Sequence, residues 1–196
     1  NKEDSISKVQ RMTIATQLLI TITNKLYAYR IPCVQGLISF NYQISLRCPF
    51  TPIVPEFEKK GLENLNYSIS TKLWDSLILS MREIERFRKD NKGKEKYKNA
   101  ISRILVISDG DDVDSKAKVQ DVLIELIEKK IIVDSIVISG EKDCGMLCAV
   151  SHATGGISYQ VQDIPDAISF FEQSAFLNFE ERVIYEKPLI EDEDDT

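Results

Sequence analysis

The chain has 196 residues, 43% hydrophobic and 29% charged, which suits one globular domain with its own core, since domains run roughly 50–250 residues. Its net charge is −6, but the tail at 191–195 is five acidic residues in a row, so the body is close to neutral and carries no basic footprint for nucleic acid. No apolar run approaches the ~20 residues of a membrane-spanning helix, no leader precedes the first helical segment, and Cys33, Cys48, Cys144 and Cys148 read as free thiols of a cytoplasmic, reducing setting.

Residues 8–28, KVQRMTIATQLLITITNKLYA, place Val9, Met12, Thr16, Leu19, Thr23 and Leu26 at three- and four-residue spacing, which predicts a helix over the rival strand. CVQGLISF, 33–40, and QISLRCPF, 43–50, read as a hairpin turning at Asn41-Tyr42. Pro49, Pro52 and Pro55 break the chain, and a short helix is expected over 56–65. A long amphipathic helix follows from Thr71 to about Arg88, with Leu73, Leu77, Met81 and Ile84 inward. Trp74 and Tyr67 flank its start, and Trp74 reads as core rather than as a contact residue.

After a lysine-rich loop at 90–98, RILVIS, 103–108, is a central strand. A helix over 115–130 puts Val119, Val122, Leu123, Leu126 and Ile127 on one face. IIVDSIVIS, 131–139, is the next strand, and a short helix over 146–152 ends at Gly155-Gly156. ISYQV, 157–161, and a helix over 164–177 complete the series. Strands alternating with helices imply a mostly parallel sheet covered on both faces. The domain is read as 1–180, with 181–196 an acidic tail or linker. Ligands of such sheets sit beyond the carboxyl ends of the strands. There RILVISDGDDVDS places Asp109, Asp111, Asp112 and Asp114.

Three readings of that cluster compete. Asp114 or Ser115 caps the helix that follows, where carboxylates gain ~0.3–1 kcal/mol each; this suits Asp112 and Asp114 but does not require Asp109. An EF-hand loop fails, lacking the glycine at position six and the glutamate at twelve. The third is a Mg²⁺ or Mn²⁺ site assembled from several loops, with a hydroxyl from Thr71 joining Asp109. Taken alone, Thr71 is an ordinary helix cap.

Together, VISDGDD after a strand, STKLWDSL opening a helix and SHATGGISY late in the chain resemble a von Willebrand factor type A domain, and GLISFN, 36–41, is similar to that family's second strand. The resemblance runs from about Ser7 to Leu177. It implies a Rossmann-like, doubly wound α/β fold, its sheet mostly parallel with one antiparallel edge strand. It also implies a metal-ion-dependent adhesion site: a D-x-S-x-S loop, a threonine and an aspartate around Mg²⁺ or Mn²⁺, completed by a partner's carboxylate. By this resemblance Thr71 ligates the ion, and Asp109 does so directly or through a held water.

The departure from the family lies at the start. Glu3-Asp4-Ser5-Ile6-Ser7 reads E-x-S-x-S, making Ser5 and Ser7 the candidate ligands, but Ser7-Lys8-Val9-Gln10 is a capping box at the start of the first helix, and that is the favoured reading of the two. The family's central first strand has no counterpart here. A sheet without its centre leaves unpaired backbone groups and an apolar slot, so the slot is expected to be filled from outside this sequence or by a partner chain. Direct pairing of 103–108 with 33–40 would refute that expectation.

The implied function is a protein-interaction module of a larger intracellular protein or assembly, without catalytic residues. The alternatives are a metal-free scaffold and a Mg²⁺-dependent hydrolase or phosphotransferase using the Asp109–Asp112 cluster. Cys144, Cys148 and His152 stand at helical spacing but lack the fourth ligand and matched pair of a zinc site. They read as a short helix with Cys148 buried and His152 near the surface. No glycine-rich nucleotide fingerprint is present.

Overall fold

The structure is a computed structural model that describes residues 8–52, 54–62, 71–109, 112–138, 144–161 and 165. Ser5, Ser7, Glu3, Tyr67, Asp111, the 164–177 segment apart from residue 165, and the tail lie outside the described residues.

Helix α1 (Lys8–Ala28) forms despite its β-branched content. The hairpin follows as β1 (Gln35–Phe40) and β2 (Ile44–Thr51), antiparallel, with irregular register between Gln35, Leu37 and Ile38. Its turn closes locally: Gln43 N–H donates to Asn41 Oδ1 at 2.7 Å, the Asx geometry that suits asparagine to turns. Helix α2 (Val54–Gly61) is followed by α3 (Leu73–Asp90), which starts two residues later than expected. The lysine-rich loop holds one 3-10 turn, Glu95–Tyr97. Then come β3 (Ser102–Ser108), α4 (Val119–Glu128), β4 (Ile131–Val137), α5 (Gly145–Ala153) and β5 (Ser158–Gln160).

Strands β3, β4 and β5 form a parallel sheet in that order, and β1–β2 a separate antiparallel pair. β3 pairs with β4 and not with β1, as the missing-centre reading requires. Period-two alternation sends β3 and β4 side chains to two cores. On one face Val106, Ile131, Val133 and Val137 meet Leu73, Leu77 and Met81 of α3, Val122 and Leu126 of α4, and Leu147 of α5. On the other, Leu105, Ile107, Ile136 and Ile138 meet Leu18 and Ile22 of α1. Helices therefore cover both faces, as in a Rossmann-like α/β fold. α3 lies against both β1 and β3. α1 reaches the hairpin as well, Thr23 Oγ1 donating to Gln35 Oε1 at 3.0 Å.

The inward stripe of α1 differs from the expected one. Of that stripe Thr23 is buried and Leu26 packs against the core as expected, but Leu18 and Ile22 lead the buried face, while Met12, Thr16 and Leu19 are only half-buried. The helix is apolar or small on most sides, so periodicity does not choose the face; packing on Leu105 and Ile107 does. α3 matches its expectation: Leu73, Leu77, Met81, Ile84 and Trp74 are all core. α4 begins four residues later than expected, at Val119, after a loop that is central below.

The end of α5 shows why two glycines stand there. Gly155 takes φ +76°, the left-handed conformation of a helix terminus. A Cβ on Gly156 would lie 1.9 Å from the Val133 carbonyl oxygen, so only glycine allows this approach to β4. Ile157 N–H then donates to Asp134 Oδ1 at 2.9 Å, and Asp134 is also ion-paired with Arg103 of β3.

Candidate site at the carboxyl end of the parallel sheet

Asp109 is the first residue beyond β3, at the carboxyl end where doubly wound sheets bind ligands. Its carboxylate faces Arg11 of α1, Nη1 to Oδ2 3.5 Å, with both side chains mostly shielded from solvent. At that length the contact is an ion pair rather than a strong hydrogen bond. Arg11 Nε is buried and makes no hydrogen bond among the described residues.

The following loop is bonded back to the start of α3. The Thr71 carbonyl accepts the N–H groups of Val113 and Asp114, each at 3.0 Å. Asp112 Oδ1 accepts the Leu73 N–H at 2.7 Å and the Ser115 hydroxyl at 2.6 Å. In return, Asp75 in the first turn of α3 accepts the N–H groups of Lys116 and Ala117 at 2.9–3.1 Å, and donates its own N–H to Ser115 Oγ at 3.1 Å. Backbone donors at the α3 terminus and in the loop are satisfied by two carboxylates, each from the other segment.

This corrects two expectations. Asp114 and Ser115 do not cap the helix that follows: α4 starts at Val119, its preceding residue is Lys118, and among the described residues no side-chain cap hydrogen bond is made there. Asp112 instead caps α3, from a loop distant in sequence. Thr71 is not the cap of α3 either, because Lys72 precedes the helix and the first N–H bonds to Asp112. The motif reading brought Thr71 and the 109–115 loop to one place. It missed Asp75 and Arg11, whose partners lie 42 and 98 residues away and leave no local signal.

Chemically, Thr71 brings a hydroxyl and Asp109 a carboxylate to this end of the sheet. Both are hard donors of the kind Mg²⁺ and Mn²⁺ take. Among the described residues no three His, Cys, Asp or Glu side chains converge as a metal site. Cys148 is half-buried rather than buried, and His152 is exposed.

No protein-family model matches the sequence, and no curated protein matches it. Solved structures do resemble it. An aerotolerance-related membrane protein from Bacteroides fragilis NCTC 9343 gives a TM-score of 0.67 at 14% identity, over 87% of this chain and 90% of that one. The N-terminal domain of TFIIH p34 gives 0.60 at 17%, over 81% and 83%. The SpRpn10 VWA domain gives 0.57 at 11%, over 80% and 81%. At these identities the likeness is one of architecture: the chain has a von Willebrand factor type A-like fold.

Proposed function

We propose that this domain is a protein-interaction module that performs no chemistry, binding its partner at the carboxyl end of the parallel sheet around Asp109 and Thr71. One observation carries the reading. The loop leaving β3 is bonded to Thr71 and to the first turn of α3, so two distant segments present a carboxylate and a hydroxyl at the same end of the sheet. In this reading Thr71 and Asp109 hold Mg²⁺ or Mn²⁺, with Ser5 and Ser7 as the further ligands. The ion, when bound, supplies a positive centre for an acidic side chain of the partner. Asp75, through both carboxylate oxygens, and Asp112, through Oδ1, accept backbone N–H groups and orient the loop.

Arg11 favours a second reading, a metal-free scaffold in which its guanidinium balances Asp109. The two differ on Arg11→Ala. If a cation binds Asp109, removing the competing positive charge raises Mg²⁺ affinity by up to ~5-fold, the equivalent of the ~0–1 kcal/mol of partly exposed pairs. If Arg11 is the permanent partner, Mg²⁺ affinity is undetectable in both proteins.

The slot between β1 and β3 belongs to the same proposal. A further strand from outside this sequence, or from a partner chain, lies there. Three features support it: neither strand pairs with the other, α3 lies over both, and α1 reaches both from the opposite face. The free state of all four cysteines supports an intracellular setting within a larger protein or assembly.

The experiment is a Mg²⁺ titration with and without a peptide bearing a free glutamate. Linkage requires each ligand to raise the affinity of the other by the same factor, and that reciprocity is the expected result. Magnesium-dependent turnover of p-nitrophenyl phosphate would overturn the reading in favour of a hydrolase or phosphotransferase working from the Asp109–Asp112 cluster.

A further inference from the structure

Cys144 and Cys148 stand one helical turn apart at the start of α5, at the same end of the sheet as Asp109. Cys148 N–H donates to the Cys144 carbonyl at 2.9 Å, so the pair has true helical spacing. Four residues of helix separate the Cα atoms by about 6 Å, inside the ~4.4–6.8 Å window that a disulfide accepts. The two sulfurs are already 3.4 Å apart. Ser158 of β5 holds the second sulfur in place, its Oγ 3.1 Å from Cys148 Sγ. Ser158 is itself fixed by the Ser135 hydroxyl at 2.7 Å, and Ser135 by Ser151 at 2.9 Å, both of the latter fully buried. The cluster is a dithiol aimed by a buried hydroxyl chain. The candidate face does not use it, and of the two only Cys144 also packs against the edge of the core.

We propose that Cys144 and Cys148 form a reversible thiol–disulfide modification site whose co-substrate is a low-molecular-weight disulfide. The Cys148 thiolate attacks one sulfur of the co-substrate. That forms a mixed disulfide and releases the first small thiol, which takes up the proton Cys148 gave up. The Cys144 thiolate then attacks Cys148 Sγ and expels the second small thiol, again with one proton returned. Two protein thiols are oxidised and one disulfide is reduced to two thiols. The sulfurs need only close from 3.4 Å to ~2.05 Å. Cys144 lies at the helix boundary, outside its regular turns, where that adjustment meets least resistance. Cys33 is exposed and Cys48 buried, and neither has a second thiol beside it among the described residues, so they serve as internal controls.

The test is exposure of the whole chain to excess oxidised glutathione, followed by alkylation and peptide mass spectrometry, with and without later dithiothreitol. The expected product is a Cys144–Cys148 disulfide, restored to two thiols by dithiothreitol, while Cys33 carries only glutathione. Cys144→Ser should leave stable glutathione on Cys148, because the resolving thiol is gone. The proposal is overturned if Cys144 and Cys148 stay fully alkylatable while Cys33 is modified. It is equally overturned if both carry glutathione without closing, or if either bonds to Cys33. None of these outcomes depends on metal or partner binding at Asp109.

Discussion

β3 and β4 are adjacent and similar in composition, RILVI against IIVDSIV, yet they differ sharply in burial. All seven residues of β4 are buried; in β3 only Val106 is. β4 is flanked by β3 and β5, whereas β3 has a strand on one side only among the described residues. β1 is in the same position, with none of its residues buried. Burial here follows neighbours rather than hydropathy: β5, at the other edge of the sheet, likewise has no buried residue.

The largest effect separates the two strands directly. Ile136→Ala in β4 should cost ~2–5 kcal/mol, the range for a buried isoleucine. Ile107→Ala, half-buried in β3, should cost less than half as much; equal shifts in denaturation midpoint would break the comparison. Hydrogen exchange gives the next: β4 amides should be the slowest, and those of β3 and β1 should slow when a strand enters the slot. Protection of β3 equal to that of β4 in this chain would remove the slot.

The third contrast is between two aspartates three residues apart. Asp112→Ala should destabilise by ~1–2 kcal/mol, because it strips a helix terminus of its acceptor. Asp112→Asn should recover most of that. Asp109→Ala should cost ~0–1 kcal/mol, as for a partly exposed ion pair. If Asp109 is the costlier, it braces the fold rather than serving a ligand.

The smallest effect lies at the hairpin. The hydrogen bond from Lys60, then that from Thr51, holds the Glu56 carboxyl below its usual range. A lowered pKa adds stability that is complete above the ordinary carboxylate value and fades as pH falls through the folded one. Thr51→Val should therefore move the Glu56 titration upward in an NMR pH series; an unchanged titration would remove Thr51 as a cause.

Much of this fold was legible in the sequence. The alternation of apolar strands with amphipathic helices gave the α/β architecture, and the 73-77-81-84 spacing picked the core face of α3 correctly. The stripe of α1 was legible only at Thr23 and Leu26, because a helix apolar on most sides has little period to read. The site was legible in part. Order and spacing brought Thr71 and the Asp109–Ser115 loop to one place, but not who caps whom. Asp112 looks like a cap for the helix after it, and only tertiary structure shows it serving α3. Arg11 offered no local pattern at all.

The measurement that tests the central claim most directly is thermal unfolding during a Mn²⁺ titration, with Asp109→Ala beside the parent chain. A ligand of the native state alone, at ~100 times its dissociation constant, adds about 2.7 kcal/mol. The account predicts a saturable rise in the midpoint that vanishes in Asp109→Ala. No rise, or the same rise in both proteins, would contradict a cation at Asp109 and leave Arg11 as the partner of that carboxylate.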